Sequence, residues 1–275
     1  MQFFVVEPEG LDLTGFQILE ISSRWTRTPP VLPGAVRIDP CFVEAGLDTS
    51  RYFPRYRQRG DALLSPDLAE WLIALGLDRN VPLLLSTTGP WGPVNGGRVA
   101  WALCAASFCD IYWLNGGSEA WTPGEGRPAD VGFPIPRHCL ATSELDGAVL
   151  VDVRSRAFRE AATHDIYTFF RSCGHIPGAV WLGDWTELVT PQRRLRNRQE
   201  LRRAWQKRGL TPDRDLVFYC GTGWRSSLAC CLALWLGYPR VRNYDGGLYD
   251  WVSRGLPLSG EPPELKRQVL KGRIR

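Results

Sequence analysis

The chain has 275 residues, 44% of them hydrophobic and 23% charged, which is an ordinary composition for a globular protein of one large or two average domains. Its net charge of +4 is too small to argue for a nucleic-acid partner, and no apolar run is long enough to span a bilayer, so no membrane partner is predicted. Residues 1–9 carry early acids and no basic residue, so they predict no secretory signal.

Strand and helix patterns alternate along both halves of the chain. In chain order, the first half predicts a strand at residues 18–21, a helix ending near 75–77 and a strand at 83–85. The second half predicts a strand at 149–153, a helix ending near 208–210, a strand at 216–219 and an apolar helix over 228–236. This alternation predicts two α/β units, each with a mostly parallel sheet flanked by helices.

Two segments occur twice and support the same division. Residues 32–38 resemble residues 176–182, and residues 114–121 resemble residues 244–251. Between the copies lies a stretch rich in proline and glycine, which is typical of a linker. We therefore predict a first domain at residues 1–122, a linker at 123–137, a second domain at 138–258 and a C-terminal tail at 259–275.

Cys220 follows the predicted strand at 216–219 and opens a short loop with two glycines, before Arg225 and the apolar helix. In parallel sheets, ligands bind beyond the carboxyl ends of the strands, which is where Cys220 lies. Gly221 and Gly223 permit a tight loop whose N–H groups face the sulfur, and the helix dipole and Arg225 add positive charge. These groups stabilise a thiolate, so they favour a reactive nucleophile over a small buried core residue.

The corresponding loop of the first half, residues 86–98, is longer and has no cysteine. Ser86 stands at its start, but no histidine or other base lies near Ser86 in the sequence. We therefore expect this loop to be catalytically silent and the first domain to shape or cover the cleft of the second.

The other cysteines lack such a context. Cys104, Cys230 and Cys231 lie in apolar helical runs and are predicted core residues. No CxxC or CxxH spacing occurs, so no zinc site is predicted for the remaining four, which are Cys41, Cys109, Cys139 and Cys173. Without an export signal, we expect reduced thiols in the cytoplasm.

Over nearly its whole length the chain resembles the tandem-domain rhodaneses, a family of sulfurtransferases. Residues 151–155 resemble the family's first-strand motif, and residues 220–225 resemble its six-residue active-site loop. Residues 174–179 and 245–251 resemble two further signatures. The resemblance implies two tandem rhodanese-like domains, of which the first lacks the catalytic cysteine, as is common in that family.

The resemblance also implies a chemistry. The Cys220 thiolate would take the outer sulfur of a small anionic donor, thiosulfate or 3-mercaptopyruvate, and pass it to cyanide, a thiol or a protein cysteine. Neither a metal nor an organic cofactor is implied. The charge of Arg225 favours thiosulfate, whereas Gly221 resembles the loops of the mercaptopyruvate-using branch.

The residues that follow Cys220 are assigned to binding of the persulfide or of the sulfur donor. They are Gly221, Thr222, Gly223, Trp224, Arg225 and Ser226. Arg225 is expected to bind the donor anion through paired N–H bonds, although a surface arginine at a helix start is the alternative. Ser226 and Ser227 are expected to cap the helix or to donate to the thiolate. Trp224 is expected to cover the sulfur or only to pack.

Further candidates lie near the predicted site. Arg154 is assigned to anion binding, with Arg156 and Arg159 as alternatives that the spacing does not separate. Asp152 and His175 are predicted to be structural, in loop-fixing bonds and in a turn.

Two segments have open roles. Residues 157–173 form a predicted flap or plain loop, in which Cys173 is a resolving thiol or an inert residue. The basic stretch at residues 193–208 predicts a solvated face, with an acidic acceptor protein as the alternative.

Two other functions compete with sulfur transfer. Cysteine-dependent phosphatases of related folds place five residues between cysteine and arginine, whereas this chain has four between Cys220 and Arg225. A non-catalytic regulatory module would lack the cysteine, as the first half does. The complete loop around Cys220 therefore favours the sulfurtransferase.

Overall fold

A computed structural model describes residues 1–22, 31–46, 64–127, 131–136, 138, 140, 141, 145, 147–160 and 174–260. These residues form two α/β halves that pack against each other. Within the described residues, no helix is both long and apolar enough to cross a membrane.

Six strands form the sheet of the first half, which are β1 (Gln2–Val6), β3 (Gln17–Ile21), β4 (Val36–Ile38), β5 (Leu83–Thr87), β6 (Ile111–Leu114) and β8 (Phe133–Pro134). Their order is β4-β3-β5-β6-β1-β8, and only β8 runs antiparallel to its neighbour among these described strands. β5 is buried along its whole length, as expected for a central parallel strand covered on both faces.

Five parallel strands form the sheet of the second half, which are β9 (Leu140–Ala141), β10 (Val149–Asp152), β11 (Val180–Trp181), β12 (Leu216–Tyr219) and β13 (Val241–Tyr244). Their order is β11-β10-β12-β13-β9. This order repeats the β4-β3-β5-β6-β1 order of the first half, strand for strand. The predicted fold class, two repeated α/β units with mostly parallel sheets, is therefore confirmed.

The helices lie between these strands in both halves. They are α1 (Phe42–Ala45), α2 (Leu68–Ala74), α3 (Gly92–Ala105), α4 (Arg156–Arg159), α5 (Arg198–Lys207), α6 (Trp224–Trp235) and α7 (Gly247–Ser253). Single 3-10 turns occur at Ser118–Ala120 and Trp185–Glu187. On α5 only Leu201 and Trp205 are buried, and Trp205 packs on Phe218 and Tyr238. The later basic residues of the helix are exposed, whereas Arg198 lies over the rings of Phe133 and Trp235.

The two halves meet where α3 packs against α6. Gly97 of α3 lies so close to α6 that a Cβ atom there would lie 2.6 Å from the Leu228 Cα. The Cys231 thiol also lies 3.8 Å from the Gly97 carbonyl oxygen. Glycine at this position therefore lets the two helix backbones approach closely.

Charged contacts join the halves elsewhere. Arg194 forms ion pairs with Glu7, at 3.4 Å, and with Glu9, and Arg193 pairs with Glu119. The start of the predicted basic stretch thus faces the first half, while Arg202, Arg203 and Lys207 on α5 are exposed.

The predicted linker contributes two short strands. β7 (Thr122–Pro123) pairs with β2 (Glu9–Leu11), and β8 extends the first sheet. The two sheets separate between β8 and β9. The domain division at residues 1–122, 123–137 and 138–258 stays a prediction. Residues 261–275 of the predicted tail lie outside the described residues.

Candidate active site

Cys220 directly follows β12, the middle strand of the second sheet, and is 2% exposed. The run Leu216–Tyr219 forms this strand because its apolar and aromatic residues are fully buried in a parallel sheet. The Ser226 hydroxyl lies 3.5 Å from the Cys220 sulfur and is placed to donate a hydrogen bond to it. Ser226 therefore adopts one of its two predicted roles, contact with the sulfur.

Gly223 makes the loop between Cys220 and α6 tight. Its φ is +82°, in the left-handed region that favours glycine, and α6 begins at the next residue. A Cβ atom at Gly223 would also lie 2.3 Å from the Asp245 carbonyl oxygen. The sequence therefore needs glycine here for its backbone conformation and for its lack of a side chain.

Hydrogen bonds fix the peptide of Gly223. Its carbonyl oxygen accepts from the Ser227 hydroxyl at 2.6 Å, from the Ser227 amide at 3.1 Å and from Asn243 Nδ2 at 3.2 Å. Ser227 thus ties the first turn of α6 back to Gly223 but does not cap it: Gly223 is the N-cap residue and no side chain caps this helix, so the predicted capping role is wrong.

The glycine pair after β13 supports the other end of the loop. The Leu248 and Tyr249 amides donate to the Cys220 and Gly221 carbonyl oxygens at 2.9 and 3.0 Å. A Cβ atom at Gly247 would lie 2.8 Å from both of these oxygens. The segment that follows β13 therefore holds the backbone that carries the thiol.

The loop also carries a buried cation and a buried hydroxyl, on Arg225 and Thr222. Arg225 is 7% exposed, and its guanidinium carbon lies 5.3 Å from the centre of the Phe158 ring. The Thr222 hydroxyl is buried and has no hydrogen-bond partner among the described residues. A buried cation and a buried hydroxyl at the start of a twelve-residue helix form an arrangement that suits a small anion.

Asp152 and Arg154 form a bidentate ion pair with each other. Arg154 donates to both Asp152 carboxylate oxygens, through Nε at 3.0 Å and Nη2 at 2.8 Å, and Nη2 also reaches the Gly174 carbonyl oxygen at 2.7 Å. Asp152 further accepts from the Tyr219 hydroxyl at 2.9 Å and from Arg159 at 3.1 Å. This geometry supports the structural role of Asp152, whereas anion binding by Arg154 stays a prediction.

The remaining candidates lie apart from this cluster. Arg156 pairs with Glu160 on the exposed side of α4. His175 exchanges backbone hydrogen bonds with Ser259 at 2.9 Å and so forms an isolated antiparallel bridge, whereas the turn lies just after it, at Pro177 and Gly178. Burial lowers the pKa of His175, and nearby Arg159 lowers it further, so the neutral imidazole is favoured. Cys139, Cys173 and most of the predicted flap at 157–173 lie outside the described residues.

Thr87, rather than Ser86, occupies the place of the cysteine in the first half. Leu83 pairs with Ile111 as Leu216 pairs with Val241, so Thr87 and Cys220 follow at the same distance along equivalent strands. Ser86 is fully buried and contacts the Ser118 hydroxyl. Residue spacing alone did not reveal that Thr87 corresponds to Cys220, because β5 and β12 can be aligned only through the residues with which they pair.

Sequence reasoning missed a buried ionic network behind the loop. Arg98 of α3 is fully buried and bonds to Glu44 in its own half and to Asp245 in the other half. Trp224 also donates its indole N–H to Glu44 at 2.9 Å. The available signals were an arginine inside the apolar helix Gly92–Ala105 and a glutamate after Phe42-Val43, but neither indicated its partner.

Glu44 has an altered ionisation within this network. Burial raises its pKa from 4.5 to about 7, because burial outweighs the attraction of Arg98, and the charge of Asp245 raises it further. The second carboxyl oxygen, Oε2, is buried and has no hydrogen-bond partner among the described residues. An unpaired buried oxygen accords with a carboxyl group that holds its proton readily.

Glu44→Gln is expected to make the protein's stability less sensitive to pH. The folded pKa of about 7 exceeds the unfolded value of 4.5, so the stability from protonated Glu44 is complete below pH 4.5 and is lost as pH rises through about 7. The loss corresponds to roughly 2–4 kcal/mol of unfolding free energy. In thermal melting of both proteins from pH 5 to pH 8, the Tm of the variant minus the Tm of the wild type should rise with pH. A constant difference in Tm across this range would contradict the expectation.

Fold and site together define a tandem α/β protein with a buried thiol in the loop that follows β12. A family model described as a rhodanese-like domain matches residues 139–254, which include Cys220. A thiosulfate sulfurtransferase of Azotobacter vinelandii is 33% identical over 168 residues, covering 56% of this chain and 61% of the relative. The sulfur carrier protein TtuD of Thermus thermophilus is 30% identical over 230 residues, covering 72% of this chain and 78% of the relative.

The structure of wild-type EanB is similar in fold, with a TM-score of 0.70 and 24% identity, over 92% of this chain and 65% of EanB. From the match of the family model and the length of the TtuD match, the chain belongs to the rhodanese family. It spans about three fifths of the length of the Azotobacter relative, 61%.

Proposed function

We propose that the protein is a sulfurtransferase that carries a sulfur atom as a persulfide on Cys220. The observation that carries this proposal is the complete thiol loop, with the Ser226 hydroxyl 3.5 Å from the Cys220 sulfur and the turn at Gly223 closing directly into α6. The sulfurtransferase relatives support the same class of reaction. Thiosulfate is the proposed donor, and 3-mercaptopyruvate is the alternative.

In the first half-reaction the Cys220 thiolate attacks the outer sulfur of thiosulfate. The new S–S bond forms as the old one breaks, and sulfite leaves with the electron pair of the broken bond. With 3-mercaptopyruvate the C–S bond breaks instead, and the enolate that leaves is protonated to pyruvate. Cys220 ends this step as a persulfide with a negative outer sulfur.

The loop supplies what this step needs. The first amides of α6 have no partner within the helix, so they and the positive end of its dipole can hold the outer sulfur. Arg225 would bind the anionic head of the donor, and Thr222 would donate its hydroxyl to the same group. Ser226 would stabilise the thiolate before attack and after release.

In the second half-reaction a nucleophilic acceptor attacks the outer sulfur of the persulfide. The S–S bond to Cys220 breaks, the thiolate is regenerated, and the acceptor leaves with one more sulfur. Cyanide, a thiol or a protein cysteine fits this step chemically. A cytoplasmic setting, where thiols stay reduced, belongs to the same proposal, and the six described cysteines, Cys41, Cys104, Cys109, Cys220, Cys230 and Cys231, are free thiols.

Mass spectrometry after incubation with each donor tests the proposal. One sulfur atom should be added to the intact protein, located on the peptide that contains Cys220, and cyanide should remove it with an equal amount of thiocyanate formed. The same protein given a phosphotyrosine mimic should release no phosphate. Failure of both donors to add sulfur, or hydrolysis of the mimic, would overturn the assignment.

A further inference from the structure

Arg98 is a buried cation that the half without the cysteine contributes to the contact between halves. Its Nε and Nη2 atoms donate to Glu44 Oε1 at 3.0 and 2.7 Å. Its Nη1 atom donates to Asp245 Oδ1, and Nη2 reaches Asp245 Oδ2 at 3.3 Å. One guanidinium thus binds a carboxylate from each half through four contacts, more than the three N–H groups of an ammonium can make.

Asp245 links this guanidinium to the thiol loop. Asn243 Nδ2 donates to Asp245 Oδ1 at 3.1 Å and to the Gly223 carbonyl oxygen at 3.2 Å. Arg98 is also directly behind the turn, since a Cβ atom at Gly223 would lie 3.1 Å from Arg98 Nη1. The backbone that separates Cys220 from α6 therefore rests on Arg98.

Trp224 also bonds to this ionic network, through Glu44. Its indole Nε1 donates to Glu44 Oε1, the oxygen that Arg98 also binds, and the Arg98 guanidinium carbon lies 5.9 Å from the centre of the Trp224 ring. Trp224 is the first residue of α6 and the neighbour of Arg225 in sequence. Movement of Arg98 would thus be transmitted to Gly223 and to Trp224, the two residues that precede Arg225.

We propose that Arg98 is a positioning residue for the sulfur transfer, which sets the backbone of the Cys220 loop from the opposite half of the protein. The proposal rests on the function proposed above and deepens it: the half that lacks the catalytic cysteine takes part in the reaction by fixing the loop. Arg98 acts through Asp245, Glu44 and the loop backbone and does not contact the donor. It should therefore affect every donor alike, because it determines where the thiolate lies and not which anion is bound.

Two variants and one matched control test this role. In Arg98→Met and Arg98→Lys, kcat/KM should fall about 10- to 100-fold, equally for thiosulfate and mercaptopyruvate, because small displacements of a reacting group have effects of this size. Arg37→Met removes another arginine of the first half from a buried carboxylate, Glu20, and should keep kcat/KM within about threefold of wild type. Arg98→Lys retains the charge, so it serves if Arg98→Met does not fold.

A readout that needs no turnover accompanies the kinetics. The rate of Cys220 alkylation by iodoacetamide, followed on its peptide, should change at least about fivefold in the Arg98 variants and not in Arg37→Met. Inactive wild-type protein would overturn the proposed sulfurtransferase, and the alkylation rates would still decide the role of Arg98. Unchanged alkylation and unchanged kcat/KM per folded molecule in Arg98→Lys, with only a lower Tm, would show that Arg98 merely stabilises the fold.

Discussion

Cys220→Ser is expected to abolish sulfur transfer while the protein still folds. Serine is nearly isosteric with cysteine, and Cys220 lies in a loop whose backbone bonds do not depend on the sulfur, so the loss of stability should be small. A serine hydroxyl cannot hold a persulfide, so turnover should fall on the order of 10³-fold or more. Cyanide-dependent turnover of thiosulfate and thermal melting of the same preparation measure the two effects.

Cys230→Ser is the matched control for this experiment. Cys230 is fully buried in α6, and its thiol lies 3.5 Å from the Arg242 carbonyl oxygen, to which a serine hydroxyl could also donate. Its activity should stay close to that of the wild type. Substantial residual transfer in Cys220→Ser would instead point to another cysteine and would defeat the assignment.

The parts of the site that the sequence predicted are those that are local in the chain. Cys220, Gly223 and Ser226 lie within seven consecutive residues, and the turn between them needs only glycine conformations and a helix start. The strand Leu216–Tyr219 was predicted to the residue, because a fully buried parallel strand appears as a continuous apolar run. Such features can be predicted because they depend only on residues that are close together in the sequence.

The parts that the sequence could not supply depend on contacts between distant residues. Glu44 and Arg98 are 54 positions apart, and Arg98 and Asp245 are 147 apart. Each is an ordinary charged residue in its own segment. The packing of α1 against α3 brings Glu44 to Arg98, and the packing of α3 against α6 brings Asp245 to both, so these partners could be found only from the folded structure.

The interface also shows where the internal repeat departs from symmetry. The Leu64 amide donates to Asp245 at 3.1 Å, and in the equivalent place the Leu195 amide donates to Asn115 at 2.8 Å. In each half, a loop amide thus donates to a side chain of the other half, namely that of the residue directly after the corresponding strand: Asp245 after β13 and Asn115 after β6. Asp245 is charged and is met by Arg98, whereas the neutral amide of Asn115 needs no buried cation and bonds to Glu7. The cation therefore serves the half that carries the thiol.

Arg225→Ala should weaken use of an anionic donor far more than it weakens folding. Losing a charge-assisted contact with the donor costs about 1.5–3 kcal/mol, or one to two decades in kcat/KM. Arg225→Lys should recover only part of the activity, because lysine keeps the charge but loses the planar fork that binds two anion oxygens. Arg203→Ala, which removes the same charge from the exposed side of α5, is the control for net charge and should leave kcat/KM unchanged.

Comparison of the two donors decides what Arg225 does. Thiosulfate is a dianion, whereas mercaptopyruvate carries one carboxylate. If the Arg225 guanidinium binds the donor, its loss should therefore lower kcat/KM more for thiosulfate than for mercaptopyruvate. Arg98 acts only through the loop and should not discriminate between the donors, so the ratio of the two losses separates binding from positioning. Arg225 is nearly buried against Phe158, so a purely structural role has its own signature. Equal losses for both donors, with Tm falling in step, would mean that Arg225 holds the loop together and does not bind the donor.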